Sequence, residues 1–387
     1  NSGGFPQGDY ALEQAKQRNL KGRAEFNAQR ASEIWRIFQD VFGGTGRIVR
    51  VAGAWTGAGN TGENYTRSFL NEAFSYGSPL GVRPDVLAVT TYFGQIKNYV
   101  FNEKLYENLS QENLNKAFDV WEQLMLSGVN VMSGQDSVGS LGGFGLKNRQ
   151  IALDFSLPII AYEGGPSLDT GSIVCVGADG RLKSDSNPCV KWGEMDRLGG
   201  QGKITDFLEA MGRHPRIEKI YELHLNLAKM LGLRSHAAFV LSSKWDKYGQ
   251  WGHLEYLDQP VAPKEAGYSP KYHFLLSWME GQKQIRPIDD PKGARPSFVT
   301  EGVLPPAVVG LKYSTKISAK GGDGSLKLLI VGGKAPDGMG FRNLGSSLVL
   351  EGAHSRPGEY RFFARVTDEN GDPAWKIFSV TVNGQKN

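Results

Sequence analysis

Ile159-Ile160-Ala161-Tyr162-Glu163-Gly164-Gly165, entered through Pro158, is the stretch on which the reading of this chain turns. A short apolar run behind a proline reads as a strand buried on both faces, and a carboxylate at its C-terminal end is costly unless it is used. Parallel barrels keep their chemistry at that end of their strands. The two glycines permit a sharp turn and the close approach of a ligand, which suits Glu163 as a nucleophile. A Glu salt-bridged at a strand end would read the same way.

Three further runs share this logic: Arg47 to Trp55 after Gly43-Gly44, Asp85 to Gly94 after Pro84, and Ala237 to Trp245. Helical patterns lie around them. Ala31 to Phe42 sets Ile34, Trp35, Phe38, Val41 and Phe42 on one stripe, which reads as core. Ser110 to Leu126 opens with a capping serine and carries Leu114, Ala117, Phe118, Trp121 and Leu124 at helical spacing. Residues 203 to 232 continue the pattern, and a last helix is expected at about Pro270 to Glu280. Strand and helix alternating in this way predict parallel pairing with right-handed crossovers, in an α/β barrel or an open doubly wound sheet; no G-x-G-x-x-G or G-K-[ST] turn is read after any strand, so a nucleotide fold loses its main support.

Near residue 297 the composition changes. Pro291, Pro296, Pro305 and Pro306 punctuate the chain and helical periodicity stops. Beyond lie short strand runs, Tyr313 to Ala319, Leu326 to Val331, Ser347 to Leu350, Glu359 to Thr367 and Ala374 to Val382, the last two joined by the turn Asp368 to Asp372. This pattern predicts two domains, 1–297 and 298–387, the second an all-β sandwich.

The 387 residues, 40% hydrophobic and 22% charged, have the balance of a globular chain with room for two or three domains, and no stretch is long and apolar enough for a membrane span. A net charge of +4 without a Lys/Arg block gives no nucleic-acid footprint. Cys175 and Cys189 bracket a polar stretch that a disulfide would staple, worth roughly 3 kcal/mol; two free thiols are the alternative.

His214, His224 and His236 lack ligand spacing, so no zinc site or other cofactor is expected. Asp368, Asn370 and Asp372 are read as a plain hairpin turn rather than a calcium loop. No G-x-S-x-G elbow points to a serine hydrolase. A carboxylate-based reaction is the chemistry with a positive signal.

Residue for residue, FQDVFGG at 38–44, RIVRVAGAW at 47–55, AVTTYFG at 88–94, IIAYEGG at 159–165 and KYGQWGHLEYLDQP at 247–260 resemble the second half of the barrel in clan A glycoside hydrolases, of the bacterial secreted glycosidase and cellulose-binding type. Residues 304 to 384 resemble the immunoglobulin-like domain of bacterial surface proteins. The resemblance implies a partial (β/α)8 TIM barrel, strands five to eight, followed by an immunoglobulin-like sandwich. It implies a retaining mechanism, with two carboxyls about 5 to 5.5 Å apart, in which Glu163 is the nucleophile. GFPQGDYA at 4–11 would follow the acid/base motif, so that Glu is expected just upstream of Asn1, in a missing N-terminal half-barrel; this chain alone is expected to have little activity.

Tyr92 is expected to hydrogen-bond the nucleophile. Trp245, with Trp55 and Trp251, is expected to stack on sugar rings. Asn60, Glu63, Gln95, Asp169, Lys244, Asp246 and His253 are loop candidates for sugar hydroxyls. The partner implied is a polysaccharide or oligosaccharide and the location the bacterial surface or exterior. A non-catalytic glycan-binding or adhesion protein is the alternative.

Overall fold

The computed structural model describes residues 6–53, 60–94, 96–126, 144–170, 201–246, 248–281, 286 and 290–385. The chain divides into two compact units, one of residues 1–91, 146–164 and 233–237, the other of 92–145, 165–232 and 238–387. The division runs through the strands of a parallel sheet.

In chain order the first elements are α1 (Pro6–Gln17), α2 (Arg23–Val41), β1 (Val51–Gly53), α3 (Asn60–Gly77), β2 (Val86–Phe93), α4 (Ile96–Asn102), α5 (Gln111–Leu126), α6 (Phe144–Asp154) and β3 (Ile159–Pro166). Then come α7 (Gln201–Arg213), α8 (Ile217–Met230), β4 (Leu233–Ala238) and α9 (Pro270–Gly281). The four strands form one sheet in the order β1-β2-β3-β4, with β1 and β2 parallel. Strands in sequence order with helices between them are what the alternating pattern requires.

The core of the first unit lies between this sheet and its helices. Ala52, Leu87, Val89 and Ile159 pack on Ala24 and Ala28 of α2, Phe69, Leu70 and Ala73 of α3, and Ile151 and Ala152 of α6. Small residues let α2 lie close to its neighbours, and that overturns one expectation. Only Trp35 of the predicted stripe packs against this core, while Ile34, Phe38, Val41 and Phe42 face solvent.

Two further boundaries differ from the sequence pattern. The helical run over 203–232 is two helices, because α7 stops two residues short of Pro215, whose ring disfavours helix before it. The fourth strand is not Ala237 to Trp245 but Leu233–Ala238. Beyond it the chain turns to a local partner: Val240 N–H donates to Trp251 O at 3.0 Å, and Leu254 N–H to Leu241 O at 2.9 Å.

The remaining strands are β5 (Pro296–Phe298), β6 (Ala307–Val308), β7 (Tyr313–Gly321), β8 (Lys327–Gly333), β9 (Met339–Asn343), β10 (Ser347–Gly352), β11 (Gly358–Thr367) and β12 (Pro373–Asn383). They make two four-stranded sheets, β5-β7-β10-β9 and β6-β12-β11-β8, antiparallel except where β6 meets β12. Ile317, Leu348 and Leu350 of the first share a core with Leu328, Phe362, Phe378 and Val380 of the second. The Asp368 carboxylate organises the turn between β11 and β12, accepting from Asp372 N at 2.8 Å and Asp323 N at 3.0 Å.

In the second unit α5 lies beside β11. Ser110 caps α5, its Oγ accepting from Asn113 N at 3.2 Å. The Gln123 side-chain amide closes two hydrogen bonds with the Arg361 backbone, at 3.3 and 3.1 Å. Among the described residues no helix is long and apolar enough to cross a membrane.

Candidate active site

Glu163 is the fifth residue of β3 and is partly exposed. Burial alternates along Ile159-Ile160-Ala161, with Ile159 packed against the helices, and strict alternation would send Glu163 to that same side. The hydrogen-bond register departs from it. Leu87 N–H donates to Pro158 O and Ser167 N–H to Phe93 O, so β3 carries one residue more than β2 over this span. That is a bulge, which resets the alternation and re-aims a side chain. Tyr162 and Glu163, adjacent and both accessible to solvent, carry its signature.

Gly164 shows why the strand bends here. Thr91 Oγ1 and His236 Nε2 lie 2.8 Å apart, and a Cβ on residue 164 would come within 2.0 Å of that oxygen and 2.9 Å of that nitrogen. Only glycine lets the backbone pass so closely. Desolvation pulls the His236 pKa down to about 4, so the imidazole is neutral at pH 7. Desolvation first, and the Glu163 charge second, push the Tyr162 phenol above its ordinary pKa. Within the first unit no described residue forms a hydrogen bond or ion pair with the Glu163 side chain.

The second unit holds Tyr92, Trp245 and Trp251 of the expected aromatic residues. Tyr92, near the end of β2, meets Trp251 edge-on at 5.2 Å, and both stand 6.2 Å from Phe239. Phe239 follows β4 directly and is 41% exposed, so the trio keeps aromatic surface open to solvent. Trp245 is only 6% exposed. Its indole N–H donates to Gly252 O at 2.9 Å, and the buried Lys271 Nζ lies 3.8 Å from its ring centroid, so it is packed rather than presented.

The loop candidates divide. Asp169 is buried against Lys97 at 2.6 Å and accepts from Ser167 Oγ at 3.0 Å, holding α4 to the chain after β3. His253 is buried too, with Nε2 3.0 Å from the Tyr221 hydroxyl and Nδ1 2.9 Å from Val240 O. Lys244 is exposed, and the Asp246 carboxylate accepts from Tyr248 N at 2.8 Å. Trp55, Gln95, Cys175 and Cys189 lie outside the described residues, as do the side chains of Asn60 and Glu63.

Sequence reasoning missed Phe239, read as an ordinary strand residue, and the Thr91–His236 pair. It also overlooked Gly57-Ala58-Gly59-Asn60-Thr61-Gly62, a G-x-G-x-x-G spacing after β1 whose last three residues open α3 and whose first three lie outside the described ones. A dinucleotide fold needs more than that spacing: an acidic residue at the end of β2 and a reversal of strand order at β1. Here β2 ends Thr91-Tyr92-Phe93 and the strands run in sequence order, so the fingerprint is incomplete. Among the described residues no group of three or more His, Cys, Asp or Glu is placed to hold a metal ion.

No family model matches the chain and no curated protein matches it. Among solved structures, a candidate alpha-galactosidase from Bacteroides fragilis aligns at 12% identity over 23% of this chain and 18% of its own, with a TM-score of 0.20. Titin domain M7 aligns at 10% identity over 25% of this chain and 100% of its own, with a TM-score of 0.19. A complex of titin M10 with an obscurin-like 1 Ig domain aligns at 18% identity over 24% and 100%, with a TM-score of 0.20. Scores this low fix neither fold nor activity.

Proposed function

We propose that this chain is the nucleophile-bearing half of a retaining glycoside hydrolase barrel, (β/α)8 when complete, followed by an immunoglobulin-like sandwich, and that it belongs to a secreted or surface bacterial protein acting on a polysaccharide. The observation that supports this most is Glu163: a partly exposed carboxylate on a bulged parallel strand, with no counter-charge among the described residues of its own unit.

In such a reaction the Glu163 carboxylate attacks the anomeric carbon and forms a glycosyl ester, while the departing oxygen takes a proton from a second carboxyl group. Water then attacks the anomeric carbon, gives a proton to that group and displaces the Glu163 carboxylate. The resemblance implies that a second Glu supplies this carboxyl, and gives Tyr92 the steadying role and Trp251 a share in sugar stacking. Trp245 loses weight as a platform because its faces are occupied.

With the complete protein, Glu163→Gln should lower turnover of an activated aryl glycoside by about 10⁴-fold or more, as loss of a covalent nucleophile does, and leave sugar affinity unchanged. Unchanged turnover removes Glu163 from the mechanism. Binding without turnover in the unsubstituted protein favours the glycan-binding reading, which the solvent-facing Tyr92, Phe239 and Trp251 trio would also serve.

A further inference from the structure

In the second unit, α5 and the start of β11 flank a cleft of about 360 Å³. That lies within the range of small-molecule sites, roughly 300 to 1,000 Å³. Two kinds of surface line it. Val120 and Leu124 from α5 and the ring of Tyr360 from β11 give it an apolar flank. The rim is made of charged groups that reach solvent: Asp119, Lys334, Asp337 and Glu359 are between 39% and 59% exposed.

The charges are paired. Lys334 Nζ stands 3.2 Å from Asp119 and 3.8 Å from Asp337, Arg361 pairs with Glu359 at 3.0 Å, and Arg216 reaches behind the rim to Asp119 at 2.8 Å. Arg216 is shared with Glu122 at 3.1 Å, and the Asp119 carboxyl stays below its ordinary pKa because the hydrogen bonds and charges of Arg216 and Lys334 outweigh its desolvation. A charged ligand would have to break one of these pairs. The walls are also held in place, since the paired hydrogen bonds between Gln123 and the Arg361 backbone tie α5 to β11 beside the cleft.

We propose that this cleft binds a neutral carbohydrate, one or two pyranose units of a glycan. A sugar ring is apolar across its C–H face and polar around its edge, and so is the cleft: Tyr360, Val120 and Leu124 would take the face, while carboxylate oxygens accept from hydroxyls and Lys334 and Arg361 donate to them. The inference does not depend on the role of Glu163. It gives the β-rich region a share in sugar capture through a surface that only the helix and the strand together create.

Cellobiose, lactose and chitobiose, titrated separately into the chain by calorimetry and saturation-transfer NMR, test it. At least one should bind saturably, with Tyr360 and Leu124 resonances moving. Tyr360→Ala and Val120→Arg should each weaken that binding about tenfold or more, an anchor-sized loss. Asp337→Asn, a conservative change at an exposed site, should weaken it by about threefold with the fold untouched. Glu163→Gln should leave it unchanged.

Absence of saturable binding by all three sugars overturns the proposal. So does equal affinity in Val120→Arg and Asp337→Asn proteins whose circular dichroism matches the unsubstituted chain, or tighter binding of a uronic-acid disaccharide than of any neutral one.

Discussion

Gly164 decides more than its size suggests. It has no Cβ where Thr91 and His236 meet across the strand, and the side chain of the preceding residue is the candidate nucleophile. Gly164→Ala would drive a methyl group into the Thr91 hydroxyl and should destabilise the first unit by about 1 to 3 kcal/mol, the usual cost of overpacking. Chemical denaturation followed by circular dichroism measures that loss.

His236 carries a pH prediction. Its folded pKa, about 4, lies below the unfolded value of about 6.5. Its contribution to stability is therefore complete above pH 6.5 and is lost as pH falls through 4, because the unfolded chain takes up the proton first. An imidazole titration by NMR should give a midpoint near 4; a midpoint near 6.5 would show the ring to be solvated.

Glu163 could be picked out from the sequence because an acid after an apolar run is locally anomalous. The Thr91–His236 pair could not, since its members are 145 residues apart and neither is unusual among its neighbours.

Among the elements, the buried Lys97–Asp169 pair joins the first turn of α4 to the chain leaving β3. Lys97→Met would leave a buried carboxylate without its cation and should cost about 3 to 5 kcal/mol. Restoring neutrality with Asp169→Asn in the same chain should recover part of it, and thermal unfolding of the single and double variants reads both numbers.

Strands β2 and β3 were legible almost to the residue, because Pro84 and Pro158 mark their entries and β-branched or aliphatic residues fill them. β4 was misplaced because Val240 to Ser243 have strand composition, yet bond to Trp251 to Leu254 instead of the sheet. β9, Met339–Asn343, was unread, since a five-residue run with an internal glycine carries little propensity. The aromatic stripe of α2 shows the limit of periodicity. It marks a face that is apolar, not the face that is covered.

Over the whole chain, the alternation of strands and helices predicted a parallel sheet, and the four strands form one in sequence order. The change in composition near residue 297 marked the start of the β-rich region, whose first strand begins at Pro296. Sequence did not reveal that contacts divide the chain through the parallel sheet, because that depends on how densely each segment packs rather than on composition.

Covalent capture tests the central claim most directly. An activated 2-deoxy-2-fluoro glycosyl fluoride needs little acid assistance to react, so a nucleophile can be labelled without its catalytic partner, and the fluorine at C2 slows release of the ester. After incubation with a panel of such fluorides, peptide mapping by mass spectrometry should find one adduct, on Glu163 within the peptide spanning Ile159 to Gly165, absent from Glu163→Gln. An adduct on another carboxylate, or equal labelling of the Glu163→Gln chain, would contradict the account.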